Sequence, residues 1–90
     1  MKLSTKGRYA MVALADIALQ PVGTLVSLGE LSRRQDVSLP YLEQLFVKLR
    51  RAGLVESVRG PGGGYRLVKG ASDIRVVEIL SAVDETVSAM

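Results

Sequence analysis

The sequence predicts a mainly α-helical domain with a small β-hairpin, arranged as a winged helix-turn-helix. Apolar residues recur at helical spacing in two consecutive segments that are separated by a break of only two residues, Asp36 and Val37. A glycine-rich run between two short apolar stretches follows these segments directly, which is typical of a hairpin. With 90 residues, the chain has the length of one small domain.

The first helix is predicted over Ser4–Gln20, with Ser4 as its N-cap. Tyr9 and Ile17 lie on its expected core face. Lys6 and Arg8 lie near its start, where free N–H groups and the helix dipole favour an anion. Both are therefore candidate phosphate contacts, with ordinary surface cations as the alternative.

The second helix is predicted over Leu28–Gln35. Ser27 and Glu30 have the spacing of a capping box, in which each side chain accepts a hydrogen bond from a backbone N–H of the other residue. Arg33 and Arg34 lie in the last turn, where cations suit the dipole.

The third helix is predicted to follow Ser38 as its N-cap, with Pro40 in the first turn and Gly53 after the last. Four residues form its apolar stripe, namely Leu42, Leu45, Phe46 and Leu49. The remaining residues give it an exposed polar face. A tight turn between two such helices is the layout of a helix-turn-helix.

Two strands, Leu54–Arg59 and Tyr65–Lys69, are predicted on either side of the glycine-rich run. This run forms the predicted wing loop, which consists of Gly60, Pro61, Gly62, Gly63 and Gly64. A nucleotide-binding turn is a weak alternative, because the run lacks the Gly-Lys-Ser/Thr ending and leads into a strand rather than a helix. A purely structural hairpin is the other alternative.

A last helix is predicted from near Ala71, with Ser72 and Asp73 as candidate caps. We assign residues 1–75 to the winged helix-turn-helix domain. Residues 76–90 are expected to start a C-terminal helix and an acidic tail that lead to a cluster-binding and dimerisation segment outside this chain.

The composition excludes several function classes. The chain contains no cysteine and no histidine, so it offers no disulfide, thiolate nucleophile, imidazole base or ordinary zinc or iron site. Its nine acidic residues are scattered, and we expect no catalytic residue, no metal site and no enzymatic activity. No apolar run is long enough to span a bilayer, and no signal peptide is recognisable. We therefore expect a cytoplasmic protein that makes no membrane contact.

The charge is unevenly distributed along the chain. Residues 1–70 hold eleven basic and five acidic side chains, whereas residues 71–90 hold one basic and four acidic ones. A basic body with an acidic tail indicates a polyanionic partner for the body. Chance segregation on a solvated surface explains the pattern about equally well.

Double-stranded DNA is the polyanion that fits the predicted elements. The major groove, about 12 Å wide, admits one α-helix, and the third helix is the candidate. The candidate base-reading residues are Ser38, Tyr41, Glu43 and Gln44 at its N-terminal end and Arg59, which enters the minor groove from the wing. Besides Lys6 and Arg8, the candidate phosphate contacts are Arg33, Arg34, Lys48, Arg50 and Arg51. We expect about half of these cations to face the duplex.

The alternative to DNA binding is a winged-helix module for protein–protein contact, with the apolar tail Val76–Val87 as its interface.

Several runs of this sequence resemble a known family. These runs are Lys6–Ala10, Ser38–Phe46, Val58–Tyr65 and Ser81–Glu85. They resemble the IscR-like family of bacterial winged-helix transcription factors, which regulate iron–sulfur cluster assembly, and the likeness covers essentially all 90 residues. The resemblance implies a homodimer in the full-length protein, with helix 39–52 in the major groove and the wing in the adjacent minor groove.

The resemblance also implies individual roles. The positions of Tyr41, Glu43 and Gln44 face the bases, Arg59 belongs to the wing contact, and Glu43 tunes which class of operator is accepted. Pro40 departs from the pattern, because relatives carry a hydroxyl there that touches DNA.

The resemblance carries a cofactor expectation as well. Cluster-binding members carry three cysteines and a histidine in a segment that would follow Met90, and this chain has none of them. We expect no cofactor within the chain, and a [2Fe–2S] cluster only if a cysteine-containing segment follows residue 90 in the full-length protein. The absence of these residues is explained either by a DNA-binding domain trimmed from a longer protein or by a short natural relative that never bound a cluster.

Overall fold

The computed structural model describes residues 4–84, and in this range it confirms a winged helix-turn-helix. The elements follow the predicted order. Helix α1 covers Thr5–Ala18, α2 Leu28–Gln35, α3 Leu39–Arg51, and α4 Val76–Val83; strands β1 (Val55–Val58) and β2 (Gly64–Leu67) form an antiparallel hairpin between α3 and α4.

Helix α1 begins as predicted, and its expected core face is confirmed except at Tyr9. The Ser4 hydroxyl accepts a hydrogen bond from the Gly7 N–H at 2.9 Å, which confirms the N-cap. The prediction of Tyr9 as a core residue is wrong, because its side chain is 39% exposed. Ile17 is buried as predicted, together with Leu14, and Tyr9 lies at the edge of this buried face.

Helices α2 and α3 are joined by a turn at Asp36, whose φ of 54° lies in the left-handed region. Ser27 caps α2 by accepting from the Glu30 N–H at 3.1 Å. The second half of the predicted capping box is absent, because the Glu30 carboxylate accepts from Arg34 and from the Ser27 hydroxyl instead. These contacts hold the first turn of α2 through side chains.

Helix α3 lies at the centre of the core. The predicted apolar stripe is confirmed, with each of its four residues no more than 2% exposed. Ser38 caps the start by accepting from the Tyr41 N–H at 3.3 Å. At the other end, the Gly53 N–H donates to the Arg50 carbonyl and the Leu54 N–H to the Leu49 carbonyl, which ends the helix as predicted.

The hairpin is attached to the segment that precedes α2. Val26 and Tyr65 exchange two backbone hydrogen bonds, at 2.8 and 3.0 Å. Gly64, predicted to be a loop residue, is the first residue of β2. A Cβ at Gly64 would lie 2.7 Å from the Val26 carbonyl, so the close approach of two backbones requires glycine at this position.

Helix α4 packs on the same core. Its side chains Ile79 and Val83 are buried, and the helix contacts α1 and α3. The predicted caps Ser72 and Asp73 are wrong: they lie in a short 3-10 turn, and α4 starts after Arg75 without a side-chain cap. The predicted acidic tail at 85–90 lies outside the described residues. Between residues 4 and 84, no helix has the length and apolar character that crossing a membrane requires.

Candidate nucleic-acid interface

One side of α3 is open to solvent along its whole length. At 100° per residue, five side chains fall on the side opposite the buried stripe, and all five are exposed. This outward face consists of Pro40, Glu43, Gln44, Val47 and Arg51. Two of the predicted base readers, Glu43 and Gln44, therefore lie side by side on the exposed face.

Val47 is a member of this outward face that the sequence analysis did not single out. Its side chain is 36% exposed and lies one helical turn after Glu43 and Gln44. Valine methyl groups can contact the C5-methyl group of thymine in the major groove. In the sequence, its spacing of four residues from Glu43 and three from Gln44 indicates that it lies on the same face of the helix.

The other two predicted readers on α3 are tied to the protein. Ser38 is exposed, but its hydroxyl oxygen already accepts the Tyr41 N–H. Tyr41 is half-buried, and its ring meets the ring of Tyr9 edge-on, with 5.5 Å between centroids and an interplanar angle of 80°. Both residues border the outward face rather than projecting from its centre.

The wing is a narrow loop next to this helix. Arg59 is exposed and directly follows β1. Gly60 and Gly62 have φ values of 103° and 74°, which glycine adopts at no steric cost. The Gly63 N–H closes the turn on the Gly60 carbonyl at 2.9 Å, and a Cβ on Gly63 would collide with the Val58 carbonyl. The slim shape of the loop is thus required by its own backbone packing.

Most of the predicted phosphate contacts are exposed cations. Five of them make no ion pair with any residue between 4 and 84, namely Lys6, Arg8, Arg33, Arg50 and Arg51, and the same is true of Arg59, the predicted base reader of the wing. They come from α1, the end of α2, the end of α3 and the wing. Lys48 is half-buried. These six side chains therefore carry positive charge that no carboxylate of residues 4–84 compensates through an ion pair.

Arg34 is the exception among these cations. It donates to both carboxylate oxygens of Asp16, at 2.6 and 3.0 Å, and to Glu30 at 3.2 Å. Asp16 also accepts from Gln35 at 2.8 Å, and its side chain is only 8% exposed. The hydrogen bonds from Arg34 lower the pKa of Asp16, and the same contacts raise the pKa of the guanidinium. Arg34 therefore joins α1 to α2 and is not free for a phosphate.

The acidic side chains do not form a cluster that could hold a metal ion in the described part of the chain. Within residues 4–84, no three His, Cys, Asp or Glu side chains are grouped closely enough to hold a metal ion. Glu56 accepts from Arg66 at 2.7 Å, and Glu78 pairs with Lys69 at 3.0 Å, which lowers the pKa of Glu78. These residues do not fit an iron or iron–sulfur ligand set.

Residues 3–90 match the model of a protein family described as Rrf2, iron-dependent transcriptional regulator. The HTH-type transcriptional regulator IscR of Cereibacter sphaeroides is 75% identical to the chain over 92 aligned residues. That alignment covers all of this chain and 59% of the relative, so the chain spans about three fifths of the relative's length.

Two solved structures superpose closely on this fold. CymR, the global cysteine regulator of Bacillus subtilis, matches with a TM-score of 0.87 and 37% identity, over 93% of this chain and 65% of CymR. The IscR of T. potens matches with a TM-score of 0.84 and 46% identity, over 93% of this chain and 61% of that protein. Both are similar to this chain in sequence as well as in fold.

Proposed function

Because the chain belongs to the Rrf2 family of iron-dependent transcriptional regulators, we propose that it is the sequence-specific DNA-binding part of an IscR-like regulator of iron–sulfur cluster biogenesis genes. The observation that supports this most directly is the exposed side of α3, which presents Glu43 and Gln44 and ends in Arg50 and Arg51, two exposed cations that make no ion pair with residues 4–84. A helix with hydrogen-bonding side chains near its N-terminus and cations at its borders is the arrangement that reads a major groove.

On this proposal, α3 lies in the major groove and supplies base specificity. Gln44 bonds adenine through two hydrogen bonds, and Glu43 accepts from the N4 amino group of cytosine. Glu43 also repels phosphates, so it selects sites by exclusion as well as by attraction. Tyr41 and Ser38 contact the bases from the border of the face.

The wing and the free cations hold the DNA backbone. Arg59 enters the minor groove, which is about 6 Å wide and admits a slim loop. Five further cations neutralise phosphates, namely Lys6, Arg8, Arg33, Arg50 and Arg51. Arg34 is left out of the proposed phosphate contacts, because its charge is compensated by Asp16 and Glu30. Lys48 remains a candidate on the side of α3.

The proposed function is binding rather than catalysis, in the cytoplasm and on double-stranded DNA. No step of the proposal uses iron, because the donor groups in the chain do not fit it. A homodimer of the full-length protein on a palindromic site is supported by the family resemblance.

The proposal is tested by selecting DNA with the 90-residue chain. A pool of duplexes with a random core is enriched by binding, and affinity for the selected duplex is then compared with affinity for a scrambled duplex of the same composition. We expect preference for the selected duplex. Three to six phosphate contacts should give a slope of log K against log salt of about −3 to −5.

A pool without an enriched motif, together with weak binding that is the same for both duplexes and nearly independent of salt, would contradict the proposal. This result would indicate that the exposed surface of α3 binds a protein partner instead of DNA.

A further inference from the structure

The four aromatic residues of the chain form two edge-to-face pairs, and each pair includes one residue of α3. Tyr9 of α1 meets Tyr41 at the start of α3, whereas Tyr65 of β2 meets Phe46 in its middle, at 4.9 Å between centroids and 64°. The two pairs differ in burial. Phe46 is fully buried, whereas Tyr9 is 39% exposed at the surface that borders the outward face. The Tyr9–Tyr41 pair therefore lies where DNA would approach.

Helix α1 contacts the helix-turn-helix at two points on one of its flanks. Tyr9 and Asp16 are seven residues apart, which places them on the same side of α1 and about 10 Å apart along its axis. Asp16 holds Arg34 at the end of α2, and Tyr9 holds Tyr41 at the start of α3. The turn at Asp36 lies between these two contacts in the chain. Helix α1 therefore contacts the helix-turn-helix both before and after its turn.

We propose that Tyr9 is a positioning residue for DNA recognition, whose ring fixes the orientation of the Tyr41 ring before DNA binds. This inference rests on the proposed function, since it assigns the aromatic pair a role in the specificity of α3. It gives Tyr9 no contact of its own with a base.

The surroundings of Tyr41 explain why the contact with the Tyr9 ring matters for the orientation of the Tyr41 ring. The backbone of Tyr41 is fixed by the Ser38 cap and by Pro40 in the first turn. Its ring is half-buried and packs against the core, and the one aromatic contact that it makes among residues 4–84 is with Tyr9. A side chain that is ordered in the free protein loses less conformational entropy when it contacts the bases. If the Tyr41 ring is no longer ordered in this orientation, specific binding should weaken more than non-specific binding.

The test compares Tyr9→Leu and Tyr9→Phe with the wild-type chain on the selected and the scrambled duplex. Leu keeps an apolar contact but removes the edge-to-face pair, whereas Phe keeps the ring and removes only the hydroxyl. We expect Tyr9→Leu to lower the ratio of specific to non-specific affinity by about three- to tenfold, while affinity for the scrambled duplex and the salt slope stay unchanged. Tyr9→Phe should behave like the wild type.

Two further variants separate positioning from general stability. In a Tyr41→Leu background, Tyr9→Leu should have no additional effect on the affinity ratio, because the ring it positions is gone. The matched control is Tyr65→Leu, which removes the buried pair and should lower the thermal midpoint far more than Tyr9→Leu does. Thermal unfolding of every variant is recorded beside its binding.

Other results would overturn the inference. Equal losses on both duplexes would make Tyr9 a fold or phosphate residue, and a loss with Tyr9→Phe as large as with Tyr9→Leu would make its hydroxyl a direct contact. Additive effects in the double variant would show that Tyr9 does not act through Tyr41. If the wild-type chain does not distinguish the two duplexes, the proposed function fails and the inference fails with it.

Discussion

Glu43 is an exposed carboxylate on the outward face of α3 and makes no ion pair with the rest of residues 4–84. No contact within the described structure needs its charge. We therefore expect Glu43→Ala to leave the thermal midpoint unchanged and to broaden the set of duplexes that the chain selects from a random pool. A uniform loss of affinity for all sequences would contradict this role, and Glu43→Gln serves as the control that keeps the size of the side chain.

Arg59 is the residue on which the role of the wing depends. Since it is exposed and makes no ion pair with residues 4–84, its truncation should not affect folding. We expect Arg59→Ala to cost about 1–3 kcal/mol in binding of the selected duplex, the usual cost of losing a specific contact. Arg66→Ala is the matched control, because Arg66 pairs with Glu56 on the same hairpin. Equal affinity of the Arg59 variant and the wild type would remove the wing from the proposal.

Asp16 is the residue whose charge matters for stability. Hydrogen bonds from Arg34 lower its pKa below the usual 3.8, so the ionised form stabilises the folded state at higher pH. This contribution is complete above pH 3.8 and is lost as the pH falls through the lowered pKa of the folded protein. Asp16→Asn should therefore lower the free energy of unfolding at neutral pH, by about 1–3 kcal/mol, and flatten its decline in acid.

Urea unfolding from neutral pH down to strongly acidic pH measures this effect. Asp36→Asn is the control, because Asp36 is exposed, has no ion pair within residues 4–84, and occupies a left-handed conformation that Asn also tolerates. An acid profile of Asp16→Asn that equals the wild-type profile would contradict the assignment.

Among the elements, the hairpin is held by a backbone contact rather than by side chains alone. Gly64 allows Val26 and Tyr65 to exchange hydrogen bonds, and a methyl group there would lie 2.7 Å from the Val26 carbonyl. Gly64→Ala should therefore destabilise the fold by about 1–3 kcal/mol and displace the wing relative to α3. Binding of the selected duplex should fall together with stability.

Gly29→Ala provides the comparison for this variant. The nearest side-chain atoms would lie 3.8 Å from its Cβ, and the residue lies within α2, where alanine is favoured over glycine. It should fold at least as stably as the wild type in thermal unfolding. A stability of Gly64→Ala equal to that of Gly29→Ala would show that the hairpin does not need the close approach.

At the scale of the whole molecule, ion pairs divide the cations into two groups. Within residues 4–84, Arg34, Arg66 and Lys69 are paired, whereas six exposed cations make no ion pair, namely Lys6, Arg8, Arg33, Arg50, Arg51 and Arg59. Only the second group should release counterions when DNA binds. Lys6→Ala should reduce the magnitude of the salt slope by about 1, and Lys69→Ala should leave it unchanged. Equal slopes for the two variants, measured by titrating salt in the binding assay, would contradict this division.

Several features that depend on local interactions could be predicted from the sequence, although Ser72 and Asp73 show that a cap-forming residue alone does not fix where a helix starts. The caps Ser4, Ser27 and Ser38 and the buried stripe of α3 were predicted correctly, because a cap and a helical period involve only residues a few positions apart. The hairpin and its position after α3 follow from the same kind of pattern. The resemblance in the runs around Tyr41 and Gly62 also identified the family that the comparisons show.

The contacts between side chains that are distant in sequence could be seen only in the folded structure. Arg34 appears in the sequence as one more surface cation, yet it is captured by Asp16, which lies 18 residues away. The spacing of apolar residues predicts Tyr9 in the core, but its side chain lies at the edge of the buried face and contacts Tyr41. Gly64 is required by the backbone of Val26, in a distant part of the chain. Such contacts join residues far apart in sequence, and periodicity along one element carries no information about what the next element places beside it.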